Sequence, residues 1–271
     1  MSFPVAIQVY SVRDDASKNL YGTLKKIKAM GYEGVEFAGL YGHTGEEVRD
    51  MCADIGLVPI SAHVPYVDML ADPEGVLGTY ATIGCKYVAV PYLMPEHRPD
   101  AGAFPEVVKN IAMLGSVAKK LGMQLLYHNH DFEFVKLDGK YALDVLYDTV
   151  SADNLQTELD MCWVNVGGEE PSEYLLKYTG RSPVVHLKDF VGSKSENMYE
   201  LIGIDKKAEA PAQKFEFRPV GSGKQDFPKI LKAAEKAGAS WVVVEQDQPS
   251  MGLSPMECAE KSRAYLKSIG N

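Results

Sequence analysis

The sequence predicts a single α/β domain, a (β/α)8 TIM barrel spanning residues 1–271, and three observations predict it. Short β-branched runs alternate eight times with amphipathic stretches, and the strand starts lie roughly 30 residues apart, the size of a βα unit. Most amphipathic stretches end at a glycine, the residue that closes helices best. The apolar runs turn polar only at their C-terminal ends, where a barrel presents its chemistry. A chain of 271 residues suits this domain, for which about 250 is typical. A doubly wound open sheet is the alternative, but no Gly-x-Gly-x-x-Gly fingerprint follows an early strand.

Residues 5–9 form the first expected strand, ending near Gln8. Leu20, Leu24, Ile27 and Met30 give the first helix, over 18–30, its spacing and Gly31 its end. Strand two covers 34–37 and contains Glu36. Thr44 and Glu47 make a capping box for the next helix, which stops at Gly56. Strand three is Val58–His63, and Pro73 opens a helix that runs to Gly84. Strand four covers 86–92, and a long helix follows over 104–121. Strand five, 123–127, runs into His128-Asn-His130-Asp-Phe-Glu133. A helix over 141–150 precedes strand six, 155–159, which ends at Asp160. Pro171 starts a helix, then comes strand seven, 182–189, whose Val184 and Val185 give way to His186, Lys188 and Asp189. The segment 191–224 is less regular, with a short strand expected at 215–217 and Gly221-Ser-Gly223. Asp226 caps a helix to Ala237, strand eight is Trp241–Val244, and a last helix runs from Pro255 to Ser268.

Composition excludes several classes. The formal net charge is −9 and no Lys/Arg-rich run appears, which argues against nucleic acid or an anionic membrane as partner. No run of about 18 apolar residues exists, and the N-terminus lacks the pattern of a signal peptide. Cys52, Cys85, Cys162 and Cys258 show neither Cys-x-x-Cys nor zinc-finger spacing, so they read as reduced core thiols of a cytoplasmic protein.

The strand ends collect Gln8, Glu36, His63, the 128–133 cluster, Asp160 with Trp163, His186 with Lys188, and Glu245. Four of the six histidines are in this set, a bias that packing alone does not produce. Taken alone, His186 also suits a core position and Lys188-Asp189 a solvated strand end. Asp160, His186 and Glu245, with one group from strand five, offer oxygen and nitrogen ligands that suit Mn²⁺, Mg²⁺, Zn²⁺ or Co²⁺. Carboxylates beside such a cation serve as acid and base for a proton next to a carbonyl, through an enediolate.

These residues carry a resemblance. Tyr127-His-Asn-His-Asp-Phe-Glu-Phe134, Glu158-Leu-Asp160-Met-Cys-Trp163, Val185-His186-Leu-Lys-Asp189 and Val244-Glu245 resemble the xylose-isomerase-like barrels, in the sugar phosphate isomerase/epimerase branch. The resemblance runs from Ile7 to Glu245. It implies a metal held by Glu, Asp, His and Glu from strands five to eight. Asp160, His186 and Glu245 match three of these. The first position departs, because His128-Asn129 stands where relatives carry Glu-Asn. Either His128 becomes the ligand, or Glu133 reaches in, or the site is weaker. The resemblance also implies two proton-moving carboxylates on opposite faces of the substrate, for which Glu245 and Glu133 are the candidates.

Lys188 is the candidate to pair with Asp160 or Glu245 or to stabilise an oxyanion. Gln8, Glu36, His63 and His130 are candidates for substrate hydroxyls, against internal hydrogen bonding. Trp163 suits stacking on a sugar face or a rim position. Gly221-Ser-Gly223 suits either a phosphate or a tight turn. The expectation is a metal-dependent isomerase or epimerase of a small carbohydrate, in a chain that is a candidate homo-oligomer. A dehydratase or keto-glycoside β-elimination on the same site is the alternative. A repair endonuclease needs more histidine and carboxylate ligands than the chain offers. A non-catalytic sugar-binding protein rests only on His128.

Overall fold

The computed structural model of the chain describes residues 2–194, 198 and 215–271. Eight parallel strands close into one barrel: β1 (Val5–Gln8), β2 (Gly34–Ala38), β3 (Val58–His63), β4 (Tyr87–Val90), β5 (Gln124–His128), β6 (Gln156–Asp160), β7 (Val184–Leu187) and β8 (Trp241–Val244). Sequential neighbours pair throughout, and β8 closes on β1 with Val5 opposite Val242. The (β/α)8 barrel expected from sequence is therefore the fold.

The pleat explains the strand composition. Alternate side chains face opposite sides, so Ile7, Val35, Val88, Leu125, Leu159, Val185 and Val242 pack outward against the helices. Ala6, Ile60, Tyr87, Ala89, Leu126, Val184 and Val243 form a separate apolar plug inside the barrel. Gln8, His128 and His186 take the next inward positions on β1, β5 and β7, and Glu245 takes the one just past β8, so these polar ends sit directly on that plug.

The expected helices appear with small boundary shifts. Asn19 caps Leu20–Met30, and Gly31 closes it at φ +95°, a conformation that favours glycine. The capping box at Thr44 and Glu47 is formed, and Ser254 with Glu257 makes another. Three short α-helices among the described residues were not expected: Arg13–Ala16, Tyr66–Ala71 and Met161–Val166. Each is too brief to show a 3.6-residue period in the sequence. The last one begins where Asp160 accepts the Trp163 N–H at 3.0 Å.

Among the described residues two small antiparallel ribbons decorate the barrel, Lys136–Leu137 with Lys140–Tyr141, and Asp189–Val191 with Glu216–Arg218. The second contains the strand expected at 215–217. Much of the irregular segment expected over 191–224, namely 195–197 and 199–214, lies outside the described residues. None of the helices among the described residues is long and apolar enough to cross a membrane.

Candidate metal centre and active site

His128 ends β5, Asp160 ends β6, His186 lies in β7 and Glu245 follows β8. One ligand-capable atom from each lies within 4.8 Å of the others, and all four residues are buried. His128 Nε2 is 3.4 Å from both Asp160 Oδ2 and Glu245 Oε2. Two ligands about 2.05 Å from a tetrahedral ion lie roughly 3.3–3.4 Å apart, so the spacing suits a divalent cation. Among the described residues, His128 Nε2 and Asp160 Oδ2 are buried with no hydrogen-bond partner. Such atoms are costly unless a cation or water completes them. This donor set fits a hard or borderline metal ion.

The surroundings orient the set. Asp160 spends Oδ1 on the Trp163 N–H, which leaves Oδ2 facing His128. The Asn129 side chain accepts the Asp160 N–H at 3.0 Å and ties β5 to β6. His186 Nδ1 lies 3.0 Å from Glu245 Oε2, with its other nitrogen turned toward Glu36. A ligating histidine commonly has a carboxylate behind it in this way.

Lys188 is buried, and its Nζ lies 2.9 Å from Glu245 Oε2, 2.9 Å from Asp247 Oδ2 and 3.4 Å from Asp160 Oδ2. Burial opposes its charge, but Asp247, Glu245 and Asp160 outweigh that and hold the ammonium well above its ordinary range. Burial likewise opposes ionisation of Glu245, and Lys188 with the neighbouring histidines still pulls it well below the usual carboxylate range. Burial, with His128 and Lys188 nearby, pushes His130 well below its ordinary value, so it stays neutral.

A cavity of about 860 Å³ opens above these groups. His63, His128, His130, Lys188, Glu245 and Asp247 form its polar end, while Val64, Pro65, Tyr66, Val67 and Met94 make an apolar wall. Sequence reasoning missed Asp247 as a wall group. It also missed Glu158, which sits two residues before Asp160 and so shares its inward face.

Other candidates stand elsewhere. Gln8 and Glu36 are fully buried beneath the cavity, with Gln8 Nε2 donating to Glu36 Oε1 at 2.8 Å and Ser61 Oγ donating to Glu36 Oε2. Trp163 is fully buried, stacked on Phe215 and tilted against His130. Glu133 departs most from expectation. Its carboxylate accepts from Tyr127 Oη at 2.7 Å and from the His130 N–H at 2.8 Å. Tyr127 points outward from the strand whose His128 points inward, so Glu133 is drawn behind β5, away from the metal set. Glu133, expected as a ligand or proton-moving carboxylate, instead has its carboxylate engaged by Tyr127 and the His130 N–H.

The glycine turn is also resolved. The N–H groups of Gly221, Gly223 and Gln225 donate to the Asp189 carboxylate at 3.0, 2.7 and 3.2 Å. A Cβ on Gly223 would lie 2.3 Å from Asp189 Oδ1, so glycine is needed for the close approach. An internal carboxylate thus takes the place a phosphate would have.

Curated relatives include an inosose dehydratase of Clostridium perfringens, 30% identical over 171 residues, which are 61% of this chain and 54% of that protein. The chain spans about half the length of the curated relatives it matches. Among solved structures, a sugar phosphate isomerase/epimerase of Parabacteroides distasonis superposes with a TM-score of 0.78 at 21% identity, covering 100% of this chain and 96% of that one. The IOLI protein with a bound zinc atom superposes at 0.73 with 17% identity, covering 98% of each. At these identities the two structures establish the fold alone. The sequence profile of the xylose isomerase-like TIM barrel matches residues 24–269, and the chain belongs to that family.

Proposed function

We propose that this chain is a metal-dependent lyase that removes water from a small keto-polyol or keto-sugar. The observation that carries this reading is the placement of carboxylates. Glu245 and Asp247 both leave the end of β8, while His128 and Glu133 leave no carboxylate at the cavity from β5. Among the described residues, epimerisation lacks its second carboxylate on the β5 side, and Asp68, the other acid in the cavity lining, is exposed. Elimination needs only a base and an acid on one wall. The dehydratase names of the relatives agree with this reading.

A divalent cation held by His128, Asp160, His186 and Glu245 would polarise a substrate carbonyl and so acidify the neighbouring C–H. Glu245, kept ionised by Lys188, takes the proton from carbon. Asp247, whose carboxyl is raised by burial despite Lys188, delivers a proton to the departing hydroxyl, which leaves as water. Lys188 faces the negative charge that builds on the substrate oxygen. His130, neutral in the cavity wall, is placed to hold a substrate hydroxyl. No step requires a phosphate.

The test joins metal content to product. Asp160→Asn, His186→Ala and Glu245→Gln should each lower bound metal and abolish turnover while the fold survives. Wild-type protein given keto-cyclitols and keto-hexoses in D₂O should release water and form a conjugated dione, read by ultraviolet absorbance. Exchange of carbon-bound hydrogen with an epimerised product and no loss of water would return the isomerase reading. Full metal content in all three variants would refute the site itself.

A further inference from the structure

A second constellation lies one layer beneath the first. Glu36 of β2, His63 of β3, Glu158 of β6 and His186 of β7 are all buried, with ligand-capable atoms within 4.8 Å of one another. His63 Nε2 lies 3.0 Å from Glu36 Oε1 and 2.8 Å from Glu158 Oε2. His186 Nε2 lies 2.8 Å from Glu36 Oε1 and 3.6 Å from Glu158 Oε2.

Hydrogen bonding accounts for only part of this convergence. Carboxylate oxygens and imidazole lone pairs are all acceptors, so they approach only around protons or another cation. The His63–Glu158 contact has the direction of a hydrogen bond. The His186 contact with Glu36 does not, despite its 2.8 Å length, and among the described residues His186 Nε2 and Glu158 Oε1 are left with no hydrogen-bond partner. Short contacts off the N–H axis are what neighbouring ligands around one ion make. With bonds of about 2.05 Å, their separation runs from roughly 2.9 Å in octahedral to roughly 3.4 Å in tetrahedral geometry.

We propose that a second divalent cation binds where Glu36, His63, Glu158 and His186 converge, joined to the first centre through the His186 imidazole. Nitrogen and oxygen donors without thiolate select Zn²⁺, Mn²⁺ or Co²⁺. The supporting contacts exist: Gln8 donates to Glu36 Oε1 and Ser61 to Glu36 Oε2, and together they fix that carboxylate. An entry path exists too, because His63 lines the cavity. Two divalent cations match the carboxylates of Glu36, Glu158, Asp160 and Glu245, and Lys188 matches Asp247. Filling the lower site displaces the protons on His63 Nε2 and His186, so loading must release protons to solvent. The competing occupant is that pair of protons, which carries the same charge as one divalent ion: one makes His63 cationic and the other returns His186 from a bridging imidazolate to a neutral imidazole.

The test counts metal and does not depend on the lyase chemistry. Purified protein is stripped with chelator, reloaded with Zn²⁺ or Co²⁺, gel-filtered and assayed by elemental analysis, with proton release followed in weak buffer. The expected result is two ions per chain in the wild type, and one in Glu158→Gln with reduced proton release. Asp160→Asn should lose the upper ion instead. Where Glu158→Gln fails to fold by circular dichroism, Glu36→Gln and His63→Asn carry the same expectation of one ion. A single ion in the wild type, lost in Asp160→Asn and kept in Glu158→Gln, overturns the lower site and leaves the upper one standing. Two ions retained in Glu158→Gln also overturn it.

Discussion

Glu133→Gln separates a structural carboxylate from a catalytic one. Burial raises the Glu133 carboxyl from 4.5 to about 7, although Tyr127 and the His130 N–H both favour the ionised form. The folded chain therefore holds this proton more tightly than the unfolded chain. Stability from this group is fully present below pH 4.5 and is lost as pH rises from there through 7. The difference, 7 minus 4.5, at 1.36 kcal/mol per unit, gives about 3 kcal/mol. A glutamine accepts the His130 N–H through its oxygen and offers its amide to Tyr127 Oη, so the local bonds survive without the charge. Urea unfolding of both proteins at pH 5 and pH 8 is the assay. The variant should gain about 2.5 kcal/mol on the wild type between these values, while keeping its metal and its turnover. Parallel stability curves would refute the burial argument. Lost turnover with retained metal would restore Glu133 to the reaction.

Three further outcomes follow from the same geometry. Lys188→Met leaves Asp160, Glu245 and Asp247 buried without their shared cation, which should cost the metal-free protein about 3–5 kcal/mol, and added Zn²⁺ should recover much of it, both read by urea midpoints. Gly115→Ala should destabilise by about 2–3 kcal/mol, although alanine is favoured over glycine in a helix by about 1 kcal/mol, because its Cβ would lie 2.0 Å from the Asn154 carbonyl oxygen; a stabilised variant would show that the contact yields. Gly223→Ala should be destabilised comparably by its clash with Asp189, with bound metal unchanged, since that turn stands apart from the ligands.

The barrel itself was legible from local rules. Gly31 closing a helix, the capping box at Thr44 and Glu47, and apolar strands that turn polar at their ends each follow from backbone physics within a few residues. So did the convergence of Asp160, His186 and Glu245, which stand at strand ends that closing the barrel brings together. The choice between His128 and Glu133 did not follow. It depends on which side of β5 each side chain meets, and there Tyr127 captures Glu133. Gly221-Ser-Gly223 was equally open, since only packing against β7 supplies the Asp189 carboxylate that fills the turn. The lower constellation was invisible for the same reason. Glu36 and His63 are separated from Glu158 and His186 by about a hundred residues or more, and nothing local encodes that their inward faces share one layer. Sequence determines periodicity and strand ends, which are short-range properties. The tertiary structure decides which buried charges face one another, because that depends on the register of strands that meet only when the barrel closes.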